Sequence, residues 1–165
     1  MRVLGIDPGT ASCGYGVVDS GARGVGAVDH GWWKTSASDP PELRLKRTHD
    51  VVAELIANYE PEAVALEESY VGVDARTALF VGQARGAVLV ACAAARIECA
   101  EYPPATVKQT VCGYGRADKQ QVQRMVKAIL GLADPPQPHH AADALAVALC
   151  HALAPPLARL AGARK

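Results

Sequence analysis

The most informative stretch of the sequence is Val3-Leu4-Gly5-Ile6-Asp7-Pro8-Gly9-Thr10, in which a short apolar run ends in a carboxylate and is then interrupted. The apolar residues predict a buried strand, and Pro8-Gly9 ends it directly after Asp7. In an open α/β sheet, ligands bind beyond the carboxyl ends of the strands. Asp7 is therefore the first candidate for chemistry, although an aspartate before Pro-Gly is also a common way to leave a strand.

Length and composition predict a globular protein with one domain. The chain has 165 residues, half of them hydrophobic, which suffices for a packed core. We expect a single domain over residues 1–153 and a flexible basic tail over 154–165. Five scattered cysteines without a Cys-x-x-Cys pair indicate neither a disulfide framework nor a zinc site. Because nothing resembles a signal peptide, we expect a soluble, cytoplasmic protein.

The charge is balanced overall but unevenly distributed. The formal net charge is zero, so bulk charge does not indicate a nucleic-acid partner. Residues 51–74 hold six acidic side chains and no lysine or arginine, whereas residues 102–132 hold five basic side chains and one acid. This distribution suits a metal site beside a phosphate-binding face, and it equally suits ordinary solvated helices.

Hydrophobic periodicity predicts an α/β fold with the element order β-β-β-α-β-α-β-α-α-α. Three antiparallel strands come first and two parallel strands follow, connected by helices. Trp32 and Trp33 lie in the third strand, and we assign them to the core or the sheet surface without a function. The helix predicted over residues 75–95 is apolar nearly all round, which predicts burial on more than one side, against the chain itself or against a partner subunit. Gly82 and Gly86 would let another helix approach it closely.

Four groups with metal-binding chemistry lie where an apolar environment is expected. Asp7 ends the first strand, Glu67 or Glu68 ends the fourth, and His140 and Asp143 lie one turn apart on the apolar last helix. Isolated buried carboxylates are costly and are normally paired or metal-bound. Such a set suits Mg²⁺ or Mn²⁺, but Asp143 alone is also explained by a favourable position near a helix N-terminus.

Six motifs give the chain a specific resemblance. They occur in the same order and with similar gaps as in the RuvC family of Holliday-junction resolvases, within the ribonuclease H-like superfamily. The motifs span residues 2 to 152: Gly5-Ile6-Asp7-Pro8-Gly9, Tyr15-Gly16-Val17, Leu66-Glu67, Gly82-Gln83-Ala84-Arg85-Gly86, Val107-Lys108-Gln109-Thr110-Val111 and Ala141-Ala142-Asp143-Ala144-Leu145-Ala146.

The resemblance implies a ribonuclease H-like five-stranded mixed sheet flanked by helices, in a homodimer. It also implies a crossover junction endodeoxyribonuclease that resolves four-way DNA junctions in recombination and repair, together with a RuvA–RuvB branch-migration complex. The family's catalytic, metal-binding quartet falls on Asp7, Glu67, His140 and Asp143, so the motif selects Glu67 over Glu68. Two metal ions would serve the cleavage, leaving paired nicks with 5′-phosphate and 3′-hydroxyl ends.

The resemblance further implies which residues contact DNA. The family's aromatic residue after the second acid falls on Tyr70, and two DNA-contacting lysines fall on Lys108 and Lys119. Arg116, on a basic loop, is a further candidate for contact with phosphates.

His140 is the one departure from the commonest family pattern. Many members have aspartate at this position, although a histidine variant occurs. Imidazole removes one negative charge and suits Mn²⁺ better than Mg²⁺. We therefore predict that Mn²⁺ supports faster cleavage than Mg²⁺.

Three other functions are compatible with parts of the sequence. The Ile-Asp-x-Gly-Thr pattern also opens the phosphate-binding loop of actin-like ATPases and sugar kinases, but those proteins need a second lobe for which 165 residues leave no room. A related nuclease acting on RNA shares the strand that ends in aspartate, but the motif around Lys108 and the aromatic Tyr70 favour DNA junctions. A junction-binding module without catalysis is disfavoured by the complete quartet.

Overall fold

A computed structural model describes residues 1–9, 11–36, 38–68 and 75–155 of the chain. It has five strands, β1 (Arg2–Asp7), β2 (Ser12–Gly21), β3 (Gly24–Lys34), β4 (Ala63–Glu67) and β5 (Glu98–Tyr102), and five helices, α1 (Pro41–Tyr59), α2 (Ala75–Ala95), α3 (Pro104–Cys112), α4 (Lys119–Leu130) and α5 (His139–Leu153). The element order is the predicted one. The predicted tail lies largely outside the described residues.

The strands form one mixed sheet in the order β3-β2-β1-β4-β5. Strand β1 pairs antiparallel with β2 and parallel with β4, β2 pairs antiparallel with β3, and β4 pairs parallel with β5. The predicted fold class, with three antiparallel strands followed by two parallel ones, is therefore confirmed. Strand β1 occupies the centre, which explains why the side chains between its two charged ends, Val3, Leu4 and Ile6, are apolar and fully buried.

Each face of the sheet is covered by its own group of helices. Helices α1 and α2 pack on one face through residues such as Val52 and Val88. Helices α3, α4 and α5 pack on the other through Val107, Val126 and Leu145. Alternation along β1 divides its side chains between these two cores, as expected for a strand buried on both faces.

Helix α4 begins where the sequence predicts. The Asp118 carboxylate accepts a hydrogen bond from the Gln121 backbone N–H at 2.8 Å, and the Gln121 side chain accepts one from the Asp118 N–H at 2.9 Å. This reciprocal capping box satisfies two backbone donors that the helix cannot. It also sets the position of Lys119, the first residue of the helix.

Among the residues that the structure describes, α2 is buried on one side only, whereas the sequence predicts burial on more than one. Ala84, Val88 and Cys92 are buried, but Leu79 is 62% exposed and Val90 is 59% exposed. A Cβ added at Gly82 or Gly86 would meet no described residue within 4 Å. The described residues therefore do not bury this second side of α2. Residues 76–95 are, among the described residues, the one helix long and apolar enough to cross a membrane by length and composition, a property that core helices also have.

Candidate active site

Two strand ends bring Asp7 and Glu67 to the same edge of the sheet. Strands β1 and β4 are parallel neighbours, with Ile6 opposite Leu66. Asp7 and Glu67 each follow that pair directly, and each is the last residue of its strand. This is the edge at which open α/β sheets bind their ligands.

Helix α5 delivers His140 to the same edge. Its Nδ1 lies 2.6 Å from Oδ2 of Asp7. This contact is the first cause of a raised pKa for His140, with the charges of Asp7 and Asp143 adding to it and burial opposing it. His139 is exposed, as predicted, and its ring centroid lies 4.2 Å from that of His140.

Glycines allow α5 to lie directly on the sheet. An ideal Cβ at Gly5 would stand 2.0 Å from the carbonyl oxygen of Ala144, and one at Gly14 would stand 2.1 Å from that of His140. Any side chain at these two positions would push the helix away from β1 and β2. Gly5 lies in the first of the sequence motifs and Gly14 directly precedes the second, but no local pattern indicates that these two glycines contact α5.

Burial and mutual repulsion disfavour the ionised forms of the carboxylates at this site. Burial raises the pKa of Glu67 to about 7, the negative charges of Asp143 and Asp7 add to the effect, and Lys108 and Lys119 oppose it. Burial and the charge of Asp7 likewise raise the pKa of Asp143. The three carboxylates therefore repel one another, and a bound cation would reduce this repulsion.

The predicted DNA-contacting residues differ in how the structure places them. Lys119 Nζ lies 3.4 Å from Oδ2 of Asp143, with its side chain 71% exposed. Lys108 is close enough to act on the charge of Glu67. Arg116 is exposed and forms no ion pair with these carboxylates among the described residues. Tyr70 lies outside the described residues.

Arg85 is also part of this region. It lies in one of the sequence motifs, but the sequence predicts no role for it. Its guanidinium donates a hydrogen bond to the carbonyl oxygen of Glu67 at 2.6 Å and forms an ion pair with Glu101 at 2.7 Å. The Arg85 side chain is 13% exposed, so both contacts are largely shielded from water. Arg85 thus ties α2 to the ends of β4 and β5. The available signal was an arginine among the small and apolar residues of α2.

The donor set fits a hard divalent cation by its chemistry. Carboxylates are the usual ligands of Mg²⁺ and Mn²⁺, and an imidazole tolerates Mn²⁺. In the side-chain positions observed, no three His, Cys, Asp or Glu residues of the described part of the chain are grouped closely enough to hold one ion. Asp7 instead contacts His140, and Asp143 contacts Lys119.

Similarity to known proteins is extensive. The family model "Crossover junction endodeoxyribonuclease RuvC" matches residues 3–151. A relative of that name from Moorella thermoacetica is 49% identical, with 92% of this chain and 91% of the relative covered.

Solved structures agree with this assignment. The Thermus thermophilus RuvC in complex with a Holliday junction substrate is 43% identical, with 99% of this chain and 98% of that chain covered and a TM-score of 0.89. The yeast mitochondrial Holliday junction resolvase Ydc2 shares the fold at 14% identity, with 90% of this chain and 76% of that chain covered and a TM-score of 0.67. The chain therefore belongs to the RuvC family of crossover junction endodeoxyribonucleases.

Proposed function

We propose that this protein resolves four-way DNA junctions by paired, metal-dependent nicks in symmetrically related strands. The observation that carries the proposal is the convergence of Asp7, Glu67, His140 and Asp143 on one sheet edge, with their charges coupled. Supporting it, the relatives at almost half identity are named for this activity, and the Thermus thermophilus relative binds a Holliday junction.

Asp7, Glu67 and Asp143 would hold divalent metal ions, with His140 completing the set. Bound metal would supply a water of lowered pKa and neutralise charge on the scissile phosphate. The three carboxylates would hold the metal and its water in position. His140 would orient the Asp7 carboxylate through their hydrogen bond. Water adds to phosphorus and the bond to the 3′ oxygen breaks, which leaves 5′-phosphate and 3′-hydroxyl ends.

Lys108 and Lys119 would attract the DNA backbone to this edge. Lys119 is mostly exposed while near Asp143, so its ammonium could turn to a phosphate as the DNA arrives. Contacts of this kind position a strand without reading its sequence. Arg116 would add a further phosphate contact, and Tyr70 would stack on unpaired bases at the crossover.

Two cuts in a junction with two-fold symmetry call for two sites, and hence for a homodimer. The α2 residues Leu79, Gly82, Gly86 and Val90 share one exposed, mostly apolar side of the helix. We propose that this side packs on its copy in a partner subunit. Leu79→Glu combined with Val90→Glu should convert a dimer to a monomer in sedimentation, and an unchanged mass would exclude this interface.

The cellular context follows from the same proposal. A junction resolvase acts on chromosomal DNA, which places it in the bacterial cytoplasm, with RuvA and RuvB as the partners that supply junctions. Helix α2 would then be an interface helix, which explains its apolar composition.

A cleavage assay tests the function. A four-way DNA junction, a linear duplex and a structured RNA are each incubated with Mg²⁺ and with Mn²⁺. We expect paired cuts at symmetric positions in the junction alone. Asp7→Asn should still bind the junction. Its cleavage rate should fall by more than the roughly 10–100-fold that is typical when a residue outside the ligand shell is replaced. Near-normal cleavage by this variant would refute the metal assignment.

A further inference from the structure

Two adjacent tryptophans on β3 have opposite environments. Trp33 is 7% exposed and packs in the core beneath α1 and α2. Trp32 is 43% exposed, and Lys34 Nζ lies 4.9 Å from the centroid of its ring. Alternation along a strand explains the difference in direction, but it does not explain why the outward position carries a large aromatic side chain.

The strand register places Trp32 in the same row as Asp7. Asp7 pairs with Gly14 on β2, and Gly14 pairs with Trp32 on β3. Residues directly opposite each other point to the same face of a sheet. Two strand spacings separate the Cα atoms of Asp7 and Trp32 by about 10 Å, which equals about three nucleotides of rise along a DNA strand.

The N-terminus of α5 lies between these two side chains. An added Cβ at Gly14 would point at the carbonyl oxygen of His140, and one at Gly5 would point at that of Ala144. Helix α5 therefore begins over the row that contains Asp7 and Trp32 and runs toward the opposite edge of the sheet. A DNA strand that passes the start of α5 can reach both Asp7 and Trp32, and the helix dipole favours phosphate there.

The charge on this side of β3 suits a nucleic acid. The β3 residues on this face near the site are His30, Trp32 and Lys34, and none of these three is acidic. The one acid of β3, Asp29, points to the other face, where the hydroxyls of Tyr15 and Tyr59 donate hydrogen bonds to it.

We propose that Trp32 and Lys34 together form a contact for the DNA strand that enters the active site, about three nucleotides from the scissile phosphate. The indole stacks on a base or sugar, and the ammonium pairs with a neighbouring phosphate. This inference rests on the proposed junction-cleaving function and extends its binding surface beyond the α3–α4 lysines.

Fluorescence gives a direct test, because the chain has two tryptophans. Trp33→Phe leaves Trp32 as the sole indole, and Trp32→Phe leaves Trp33. In the Asp7→Asn background, which prevents cleavage, acrylamide quenching is measured with and without a four-way junction. We expect the junction to protect Trp32 several-fold and to leave the quenching of Trp33 unchanged.

Binding and turnover give a second test. Trp32→Ala should weaken junction binding about 10-fold, as expected for loss of one stacked base, and Trp32→Phe should restore most of it. Lys34→Ala should make the slope of the logarithm of the binding constant against the logarithm of salt concentration shallower, by about the amount expected for one lost phosphate contact. The cleavage rate at saturating junction should be unchanged in both alanine variants. Val28→Ala, at another exposed position of β3, is the control and should bind normally.

Three outcomes would overturn the inference. If the wild-type chain cuts junctions but Trp32 stays accessible to acrylamide and Trp32→Ala binds normally, the inference alone is wrong. If Trp32 is protected without DNA as protein concentration rises, the surface is a self-association site instead. If the wild-type chain neither binds nor cuts junctions, both this inference and the proposed function are wrong.

Discussion

Replacing Glu67 by glutamine should stabilise the chain while abolishing its cleavage activity. The pKa of Glu67 is about 7 in the folded chain, against an ordinary value of 4.5, because of burial and the charges of Asp143 and Asp7. As pH rises above about 4.5, the unfolded chain loses this proton before the folded chain does. Stability therefore falls between about pH 4.5 and about pH 7 and remains reduced above that range.

The size of this effect follows from the difference between the two pKa values. Each pKa unit corresponds to about 1.4 kcal/mol, so the ionised Glu67 costs the folded state at most about 3 kcal/mol at pH 8. Because the side chain is partly exposed, solvent screening reduces the expected gain from Glu67→Gln to about 1–2 kcal/mol. Most of that gain should disappear at pH 5, where the folded chain holds the proton.

Urea denaturation at pH 5 and pH 8, with EDTA present, measures the effect. Glu68→Gln is the matched control, since it neutralises the adjacent carboxylate and should give no comparable gain at pH 8. When Mn²⁺ is added in excess of EDTA, it should raise the stability of the wild-type chain more than it raises that of the Glu67→Gln variant, because the ion binds the native carboxylates. The reasoning fails if Glu67→Gln is no more stable than wild type at pH 8, or if its gain is the same at both pH values.

Three further predictions concern metal choice, the tie between α2 and β4, and the contact between α5 and β1. His140→Asp should shift the preference from Mn²⁺ toward Mg²⁺, because a carboxylate replaces the imidazole; an unchanged ratio of cleavage rates in the two metals would contradict the assigned role. Arg85→Ala should lower the free energy of unfolding by about 3 kcal/mol, because Glu101 loses its largely buried partner. The same variant should need more Mn²⁺ for half-maximal cleavage. Wild-type stability of this variant in urea would contradict the role given to Arg85. Gly5→Ala should destabilise the chain by about 3 kcal/mol, since its Cβ would overlap the Ala144 carbonyl. A Cβ at Gly21 meets nothing within 4 Å in the described part of the chain, so Gly21→Ala is the control and should change the urea midpoint little.

Sequence reasoning succeeded where local signals and global structure agree. The apolar run of β1 with its Pro8-Gly9 stop, the capping box of Asp118 and Gln121, and the alternation of strands and helices each predicted an element that the structure contains. Helix boundaries at residues 75–95 and 139–153 were predicted as observed. These features depend on neighbours within about four residues, so the sequence alone carries them.

Sequence reasoning was weaker for features that depend on distant residues. Helix α2 is apolar nearly all round, and composition could not show that the described residues leave one side of it, with Leu79 and Val90, exposed. Arg85 meets the carbonyl of Glu67 and the carboxylate of Glu101 across 18 and 16 residues, so no local pattern predicts it. The assignment of the quartet to catalysis and of Tyr70, Lys108, Lys119 and Arg116 to DNA binding stays a prediction.

Local signals in the sequence predict that a strand ends at Asp7 and presents its carboxylate there, because apolar periodicity and Pro-Gly chemistry depend on near neighbours. The surroundings of Asp7, in contrast, depend on contacts between residues far apart in the sequence. The register of β1 with β4 sets Glu67 beside it, and glycines at positions 5 and 14 let α5 approach until His140 reaches its carboxylate. The charge coupling of the site arises from this close packing, since burial and short distances, rather than residue types alone, shift the pKa values.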